Sequence, residues 1–329
     1  MAKQSQSAQL DQAVQHILAD SSASAPPTPR TLSPLLRLAA DLRDLPRANF
    51  KSRLKADLQR RTSVATPTVP TVNPIRPGFL TITPYLIVNE AVQLIDFVKN
   101  VFGAEEQFRS IGSAGGLHCE LKLGDAMLMI GGGAWRGTPA PSALHIYVLD
   151  VDPVYERALA AGATSLRPPA DQEYGDRDAS VRDPYGNNWY IATHQQAGRG
   201  HFIPEGLHSV NVYLHPKGAP QAIDFFVRAL GARELERAQD DAGTIHHAKL
   251  QLGDSVLELS EARAEFPPLP TTFYLYVQDC DALYHQAIAA GATSLNPPAD
   301  QPYGDRNAGV QDPYGNTWYF STHIKDVAP

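Results

Sequence analysis

A chain of 329 residues with 43% hydrophobic content has enough apolar material to bury substantial cores and reads as a soluble, globular protein of two or three domains. It contains no run of about 18 apolar residues, and the opening MAKQSQSAQL lacks the apolar stretch of a secretory signal, so no transmembrane segment is expected and the cytoplasm is the expected location. The net charge of −7 divides unevenly: residues 1–62 carry 10 basic and 5 acidic side chains, the remainder 18 and 30, which disfavours nucleic acid as a partner of the main body.

Residues 1–77 differ in kind from the rest. Pro/Ser/Thr-rich linkers at 21–34 and 63–77 hold too little apolar surface to order themselves. Between them, within 34–62, Leu35, Leu38, Leu42 and Leu45 stripe one short helix, and Phe50, Leu54 and Leu58 stripe a second after Pro46. This basic amphipathic pair is a possible partner-binding element or a solvated hairpin.

The remainder is an internal repeat. Residues 163–194 and 292–323 match at 24 of 32 positions with a constant offset of 129, and LGDAMLMI answers LGDSVLEL at the same offset. The segment beginning YLIVNEAVQLIDF answers YLHPKGAPQAIDF at an offset of 128. The copies run from 78 to 196 and from 204 to 325, too long for solenoid units of about 20 to 50 residues, so each is expected to be a domain.

Periodicity within a copy runs strand, helix, strands, and then repeats. Thr81–Val88 reads as a strand; Ala91, Leu94, Ile95, Val98, Val101 and Phe102 fall at helical spacing, with Gly103 as cap. Strands follow at 107–110, 116–123 and 126–130. A second round gives a strand at 143–148, a helix at 153–161 and strands at 164–166, 180–181 and 188–193. Each copy is thus βαβββ–βαβββ, an α+β pattern in which the turn DPYGN joins the last two strands. Cys119 and Cys280 occupy unmatched positions and read as buried thiols.

Tandem βαβββ modules with an IDF-bearing first helix, an LGD strand pair and a closing GDR…DPYGN-x-WY-x-x-TH resemble the vicinal-oxygen-chelate superfamily of glyoxalases, bleomycin-resistance proteins and dioxygenases, nearest its PhnB-like branch. The resemblance implies two domains, each of paired βαβββ modules whose mixed sheet curls around a cleft for a small organic molecule. Enzymatic members also hold a divalent metal there, with His or Glu ligands from the first and fourth strands of each module. The matching positions here are Thr83, Met129, Ala143 and Tyr190 in the first copy and Asn211, Glu258, Thr272 and Tyr319 in the second. One carboxylate among eight positions is not a metal site, and a two-residue slip that admits His145 adds only one donor to the first copy. No metal or other cofactor is expected.

Other side chains can still line a pocket. His194 and His323 share a strand face with Tyr190 and Tyr319, His118 and His247 correspond between the copies, and Tyr174, Arg177, Tyr303 and Arg306 sit in a long loop. Each is a candidate ligand contact, set against satisfied histidines and arginines paired with Asp183 or Asp312. Glu258, opposite Met129 in the other copy, is the candidate catalytic carboxylate, with a pKa raised by apolar surroundings if buried. Metal-free binding or sequestration is the leading expectation. A metal-dependent lyase, isomerase or dioxygenase is the alternative, and a scaffold acting through the basic helices the third; the two copies are also candidates for dimer-like pairing within the chain.

Overall fold

The computed structural model describes residues 72–111, 115–132, 139–195 and 201–327; the expected helical pair and its linkers lie outside the described residues, apart from 72–77. No described helix is long and apolar enough to cross a membrane. Four βαβββ modules follow one another. The first contains β1 (Ile82–Val88), α1 (Ala91–Phe102), β2 (Glu105–Ile111), β3 (Leu117–Leu123) and β4 (Ala126–Gly132). The second contains β5 (Ala143–Tyr147), α2 (Val151–Ala160), β6 (Thr164–Asp171), β7 (Asp176–Arg182) and β8 (Asn188–His194). The third contains β9 (Val210–Leu214), α3 (Ala219–Leu230), β10 (Arg233–Gln239), β11 (Ile245–Leu252) and β12 (Ser255–Leu259). The fourth contains β13 (Thr272–Tyr276), α4 (Cys280–Ala289), β14 (Thr293–Asp300), β15 (Asp305–Gln311) and β16 (Thr317–His323).

The α+β class and the pairing of modules into mixed sheets are as expected, but the modules pair across the two sequence copies rather than within each. One eight-stranded sheet runs β14-β15-β16-β13-β1-β4-β3-β2 and joins the first module to the fourth; the other runs β10-β11-β12-β9-β5-β8-β7-β6 and joins the second to the third. The antiparallel seams are β1 against β13, with Thr83 beside Tyr274, and β5 against β9, with His145 beside Asn211. Each module offers its first strand as a free edge, and the four edges carry the same period-2 pattern. Local sequence therefore does not distinguish pairing inside a copy from pairing across copies.

Strand alternation assigns the faces. On β8, Trp189 and Ile191 join the core beneath the helices, whereas Asn188, Tyr190, Ala192 and His194 face the other way, into a cleft. The helices are placed by local chemistry. Gly103 closes α1 at φ 73° with its N–H on Lys99, and the Asp150 and Asp279 side chains cap the first turns of α2 and α4. Strand β6 extends beyond the expected 164–166 to Asp171 in spite of Pro168 and Pro169, because it is a sheet edge and its register shifts after Ser165 and Arg167 absorb the missing donors.

The DPYGN turn is a buried hub. Asp183 Oδ1 accepts the backbone N–H groups of Tyr185 and Asn187, and Oδ2 accepts the Asn187 amide and the Trp189 indole, all at 2.9 Å. Asp312 repeats this with Tyr314, Asn316 and Trp318. Gly186 and Gly315, at φ 95° and 89°, complete the two turns in a conformation that side chains disfavour.

Candidate functional site

Each sheet presents one cleft face, and the two faces differ in chemistry. The sheet built from the outer modules forms a tyrosine cleft. Tyr85, Tyr274, Tyr276, Met127 and Met129 pack together with Phe79, and Tyr319 lies against them. Burial pushes the Tyr85 and Tyr276 hydroxyls upward, so these rings stay neutral. Arg76 donates two hydrogen bonds to the buried Glu120, at 2.6 and 2.9 Å. His118 bridges Glu120 and the Tyr85 hydroxyl at 3.3 and 3.0 Å. Burial raises the Glu120 pKa, but the hydrogen bonds from His118 and Arg76 outweigh it and hold the group below the ordinary range. The Tyr303 hydroxyl meets that of Tyr274 at 3.0 Å, with Asn307 donating to the latter.

The sheet built from the inner modules forms a histidine cleft. Glu258 on β12 and His145 on β5 meet at 2.8 Å although β9 lies between their strands, which requires the sheet to curl. His247 Nε2 stands 3.8 Å from the second Glu258 oxygen, and its Nδ1 is 3.2 Å from the Tyr213 hydroxyl. Tyr190 reaches over to His215 Nε2 at 2.8 Å, and His215 Nδ1 meets Ser260 at 3.0 Å. Phe266 stacks on His215 with ring centroids 5.4 Å apart. Burial and the nearby Arg263 push His215 down to about 4, so its imidazole is neutral.

Glu258 is 2% exposed, and its pKa is lowered rather than raised. Burial does push it upward, but attraction to His145, the hydrogen bond between them, His247 and Lys249 outweigh that effect. His145 is raised by the same contact in spite of its own burial. The two form an internal ion pair, an interaction strong enough to offset desolvation only when geometry is good.

The remaining expected residues divide between cleft and scaffold. Tyr190 and His247 belong to the histidine cleft, whereas His118, Tyr319 and Tyr303 belong to the tyrosine cleft. His194 Nδ1 is held by Asp176 at 2.5 Å, and Tyr147 donates to the same carboxylate at 3.0 Å. His323 is held likewise by Asp305 at 2.8 Å. The repeated GDR…TH motif thus pins the two ends of one hairpin. Tyr174, 63% exposed, donates to Asp178 at 2.7 Å. Arg177 and Arg306 share a strand face with core residues Ala179 and Ala308, away from the clefts, and bind Asp152 with Asp171 and Asp281 with Asp300. They do not pair with Asp183 or Asp312, whose oxygens the turn occupies. Sequence reasoning missed Tyr213 and His215. Tyr213 carried a signal, as the 128-offset partner of Tyr85, whereas His215 matches Ile87 and had none.

Cross-copy pairing also regroups the positions that hold metal in enzymatic relatives: Thr83, Met129, Thr272 and Tyr319 in one cleft, Ala143, Tyr190, Asn211 and Glu258 in the other. His145 and Glu258, from different copies, now meet, but they bind each other rather than converging on a common point. Among the described residues no group of three or more His, Cys, Asp or Glu side chains is arranged to hold a metal ion. The first set offers only hydroxyl and thioether groups, and in the second the one carboxylate is held by His145 and the Asn211 amide by the His208 backbone, so neither set fits a divalent ion.

Four βαβββ modules paired into two curled mixed sheets, each with a cleft opposite its helices, define the class of protein. The model of the Glyoxalase/Bleomycin resistance protein/Dioxygenase superfamily matches residues 78–191 and 211–320, and the chain belongs to that superfamily. An uncharacterized protein of Mycobacterium tuberculosis is 37% identical over 147 residues, covering 40% of this chain and 86% of that protein. A Mycobacterium bovis protein provisionally named glyoxylase CFP32 is 26% identical over 228 residues, covering 67% of this chain and 85% of its own length. Glyoxalase I from Zea mays shares the fold, with a TM-score of 0.55 at 17% identity over 73% of this chain and 90% of the maize chain.

Proposed function

We propose that the protein binds a small organic molecule in the histidine cleft without a divalent metal. The observation that carries this reading is the charged pair found in one cleft alone. Tyr190, Tyr213 and His247 stand half-exposed around Glu258 and its partner His145, whereas the positions matched to that pair in the tyrosine cleft hold the buried Met129 and Tyr274. A few polar groups converging among aromatic rings is the usual composition of a ligand site. The motifs shared with the PhnB-like branch support the same assignment. Elemental analysis of purified protein with a melting screen of small organic molecules tests it. The expected result is no stoichiometric metal and ligand-dependent stabilisation abolished by Tyr190→Ala. Stoichiometric zinc, iron, nickel or manganese that is lost in Glu258→Gln overturns it.

A second reading rests on the buried carboxylate–imidazole pair itself, which is suited to moving a proton at a bound substrate. The names of the mycobacterial and maize relatives make glyoxalase activity the first to assay, with and without added metal. Turnover that depends on Glu258 and not on metal would favour this reading over binding alone.

A further inference from the structure

One row of the histidine cleft carries hydrogen-bond donors with nothing to donate to. Strand register sets Glu258 beside Tyr213, Ala143 beside Asn188, and Asn188 beside Arg182; the β5–β9 seam brings Tyr213 alongside Ala143. The row thus crosses five strands, with a small side chain at its centre. Asn188 is fully buried, its carbonyl oxygen accepts from Arg182 Nε at 3.0 Å, and its Nδ2 has no partner within 3.5 Å, although the side chain lies near enough to Tyr190 to act on its hydroxyl. Ser180, in register with Tyr190 on the same face, is 1% exposed, and its hydroxyl is also unpartnered. Buried polar groups without partners are rare and call for a missing partner.

The two ends of the row differ in charge: Glu258 is matched by His145 at one end, and Arg182 stands at the other. Arg182 is half-buried and forms no ion pair among the described residues; its contact is the neutral Asn188 side chain. On the opposite wall Arg263 likewise touches only a histidine, at 2.7 Å. Arg167, by contrast, is neutralised by Asp178. Arg182 and Arg167 both act on Tyr190, and Arg263 acts on Tyr213 and His215. The matched positions of the tyrosine cleft hold Gln311, Thr317 and Gly309 in place of Arg182, Asn188 and Ser180, so this donor set belongs to one cleft alone.

We propose that the ligand of the histidine cleft is a small aromatic anion, seated over Ala143 with its carboxylate or comparable oxyanion on Arg182, Asn188 and Ser180 and its ring against Tyr190, Tyr213 and Phe266. The guanidinium, the Asn188 amide N–H and the Ser180 hydroxyl can all donate to one oxyanion, whereas a cation at the same place would meet the guanidinium as a like charge. Ala143 is the smaller side chain where the tyrosine cleft has Thr272. This rests on the reading of the histidine cleft as a small-molecule site.

Titration calorimetry of the full chain with 2-naphthoate, 2-naphthamide and 2-naphthylmethylamine tests the proposal on the unmodified protein. The carboxylate should bind tightest, and Arg182→Gln should weaken it about 10- to 100-fold, the loss expected for a charge-assisted hydrogen bond. Gln311→Ala, at the matched place in the tyrosine cleft, should leave it unchanged. Binding of amide or amine as tightly as the carboxylate overturns the proposal and leaves the small-molecule reading intact, as does a carboxylate preference that survives Arg182→Gln. Absence of binding by all three probes overturns the aromatic-anion proposal, and the melting screen then decides the small-molecule reading separately.

Discussion

The tyrosine and histidine clefts are built on matching strands, the same turns and nearly the same hub residues, and both floors keep a Tyr–His contact, Tyr85 with His118 and Tyr213 with His247, yet around it they diverge. At matched positions Met129 faces Glu258, Tyr274 faces His145, Glu120 faces Lys249 and Ile87 faces His215. What the two halves hold in common is the scaffold, Asp183 and Asp312 in the turns and Asp176–His194 and Asp305–His323 across the hairpins, together with the Tyr–His contact and the Tyr190/Tyr319 position of the floors. The differences mark where the two clefts have acquired separate chemistry.

The largest expected effect tests the shared part. Asp183→Ala or Asp312→Ala removes the acceptor of four hydrogen bonds and leaves an indole, an amide and two backbone N–H groups unpaired in the interior. Each should cost about 3 to 5 kcal/mol in urea unfolding, and the two should be alike. A large inequality would mean that one turn only carries its half of the molecule.

The next effect tests the difference. Met129→Glu places a carboxylate where the other cleft has one, but Tyr274 stands in place of the imidazole and Glu120 is its cross-strand neighbour. The uncompensated charge should cost about 3 kcal/mol or more. Glu258→Met exchanges an ion-paired carboxylate for an apolar group and leaves His145 free to become neutral, so it should remain within about 2 kcal/mol of the parent. A cost for Met129→Glu as low as that for Glu258→Met would show that a buried carboxylate is tolerated here without the imidazole.

A smaller effect is read in pH. His215 is neutral in the fold, with its pKa depressed to about 4. The unfolded chain therefore binds the extra proton first, and stability falls as pH drops from about 6.5, the ordinary histidine value, towards the folded value. His215→Ile, which copies the matched Ile87, should flatten that acid limb by no more than about 3 kcal/mol. His145 acts in the opposite sense. Its raised pKa contributes stability that is complete below the unfolded value and is lost as pH rises through the folded one. Glu258, lowered, contributes stability present above the ordinary carboxylate value and lost on acidification. If His215→Ile leaves the unfolding midpoint equally sensitive between pH 4 and 6.5, the histidine is not buried as a neutral ring.

Much of this was legible in the sequence, and the gaps have physical causes. The four βαβββ modules follow from periodicity, Gly103 as a helix cap and the DPYGN turns. Cross-copy sheet pairing does not, because β1, β5, β9 and β13 present equivalent edges. That one ambiguity hid the meeting of His145 with Glu258, whose separation of 113 positions carries no local signal. It also explains why the Glu258 pKa was expected to move the wrong way: burial was foreseen and the imidazole was not. Strand alternation and repeat matching single out Tyr190 and His247, which lie in the histidine cleft. Arg182, Asn188 and Ser180 were passed over because they sit inside the most similar segment, where three substitutions among many identities look incidental.

The smallest expected effect concerns Arg177 and Arg306, which resemble ligand-binding arginines in sequence and differ from Arg182 only in strand parity. Each lies on the helix-side face and clamps a helix to its own hairpin, Arg177 through Asp152 at 2.6 and 2.8 Å and Arg306 through Asp281. Their carboxylate partners are largely solvent-exposed, and exposed ion pairs contribute little because water screens them. Arg177→Gln and Arg306→Gln should therefore shift the unfolding midpoint slightly and to the same extent, since the clamp is common to both halves. Neither should alter 2-naphthoate affinity. Arg182→Gln, five residues along the same strand from Arg177 but on the opposite face, should do the reverse, lowering affinity with little change in the midpoint. If Arg177→Gln were the variant that lost the probe, the face assignment of β7 would be wrong, and the donor row of the histidine cleft with it.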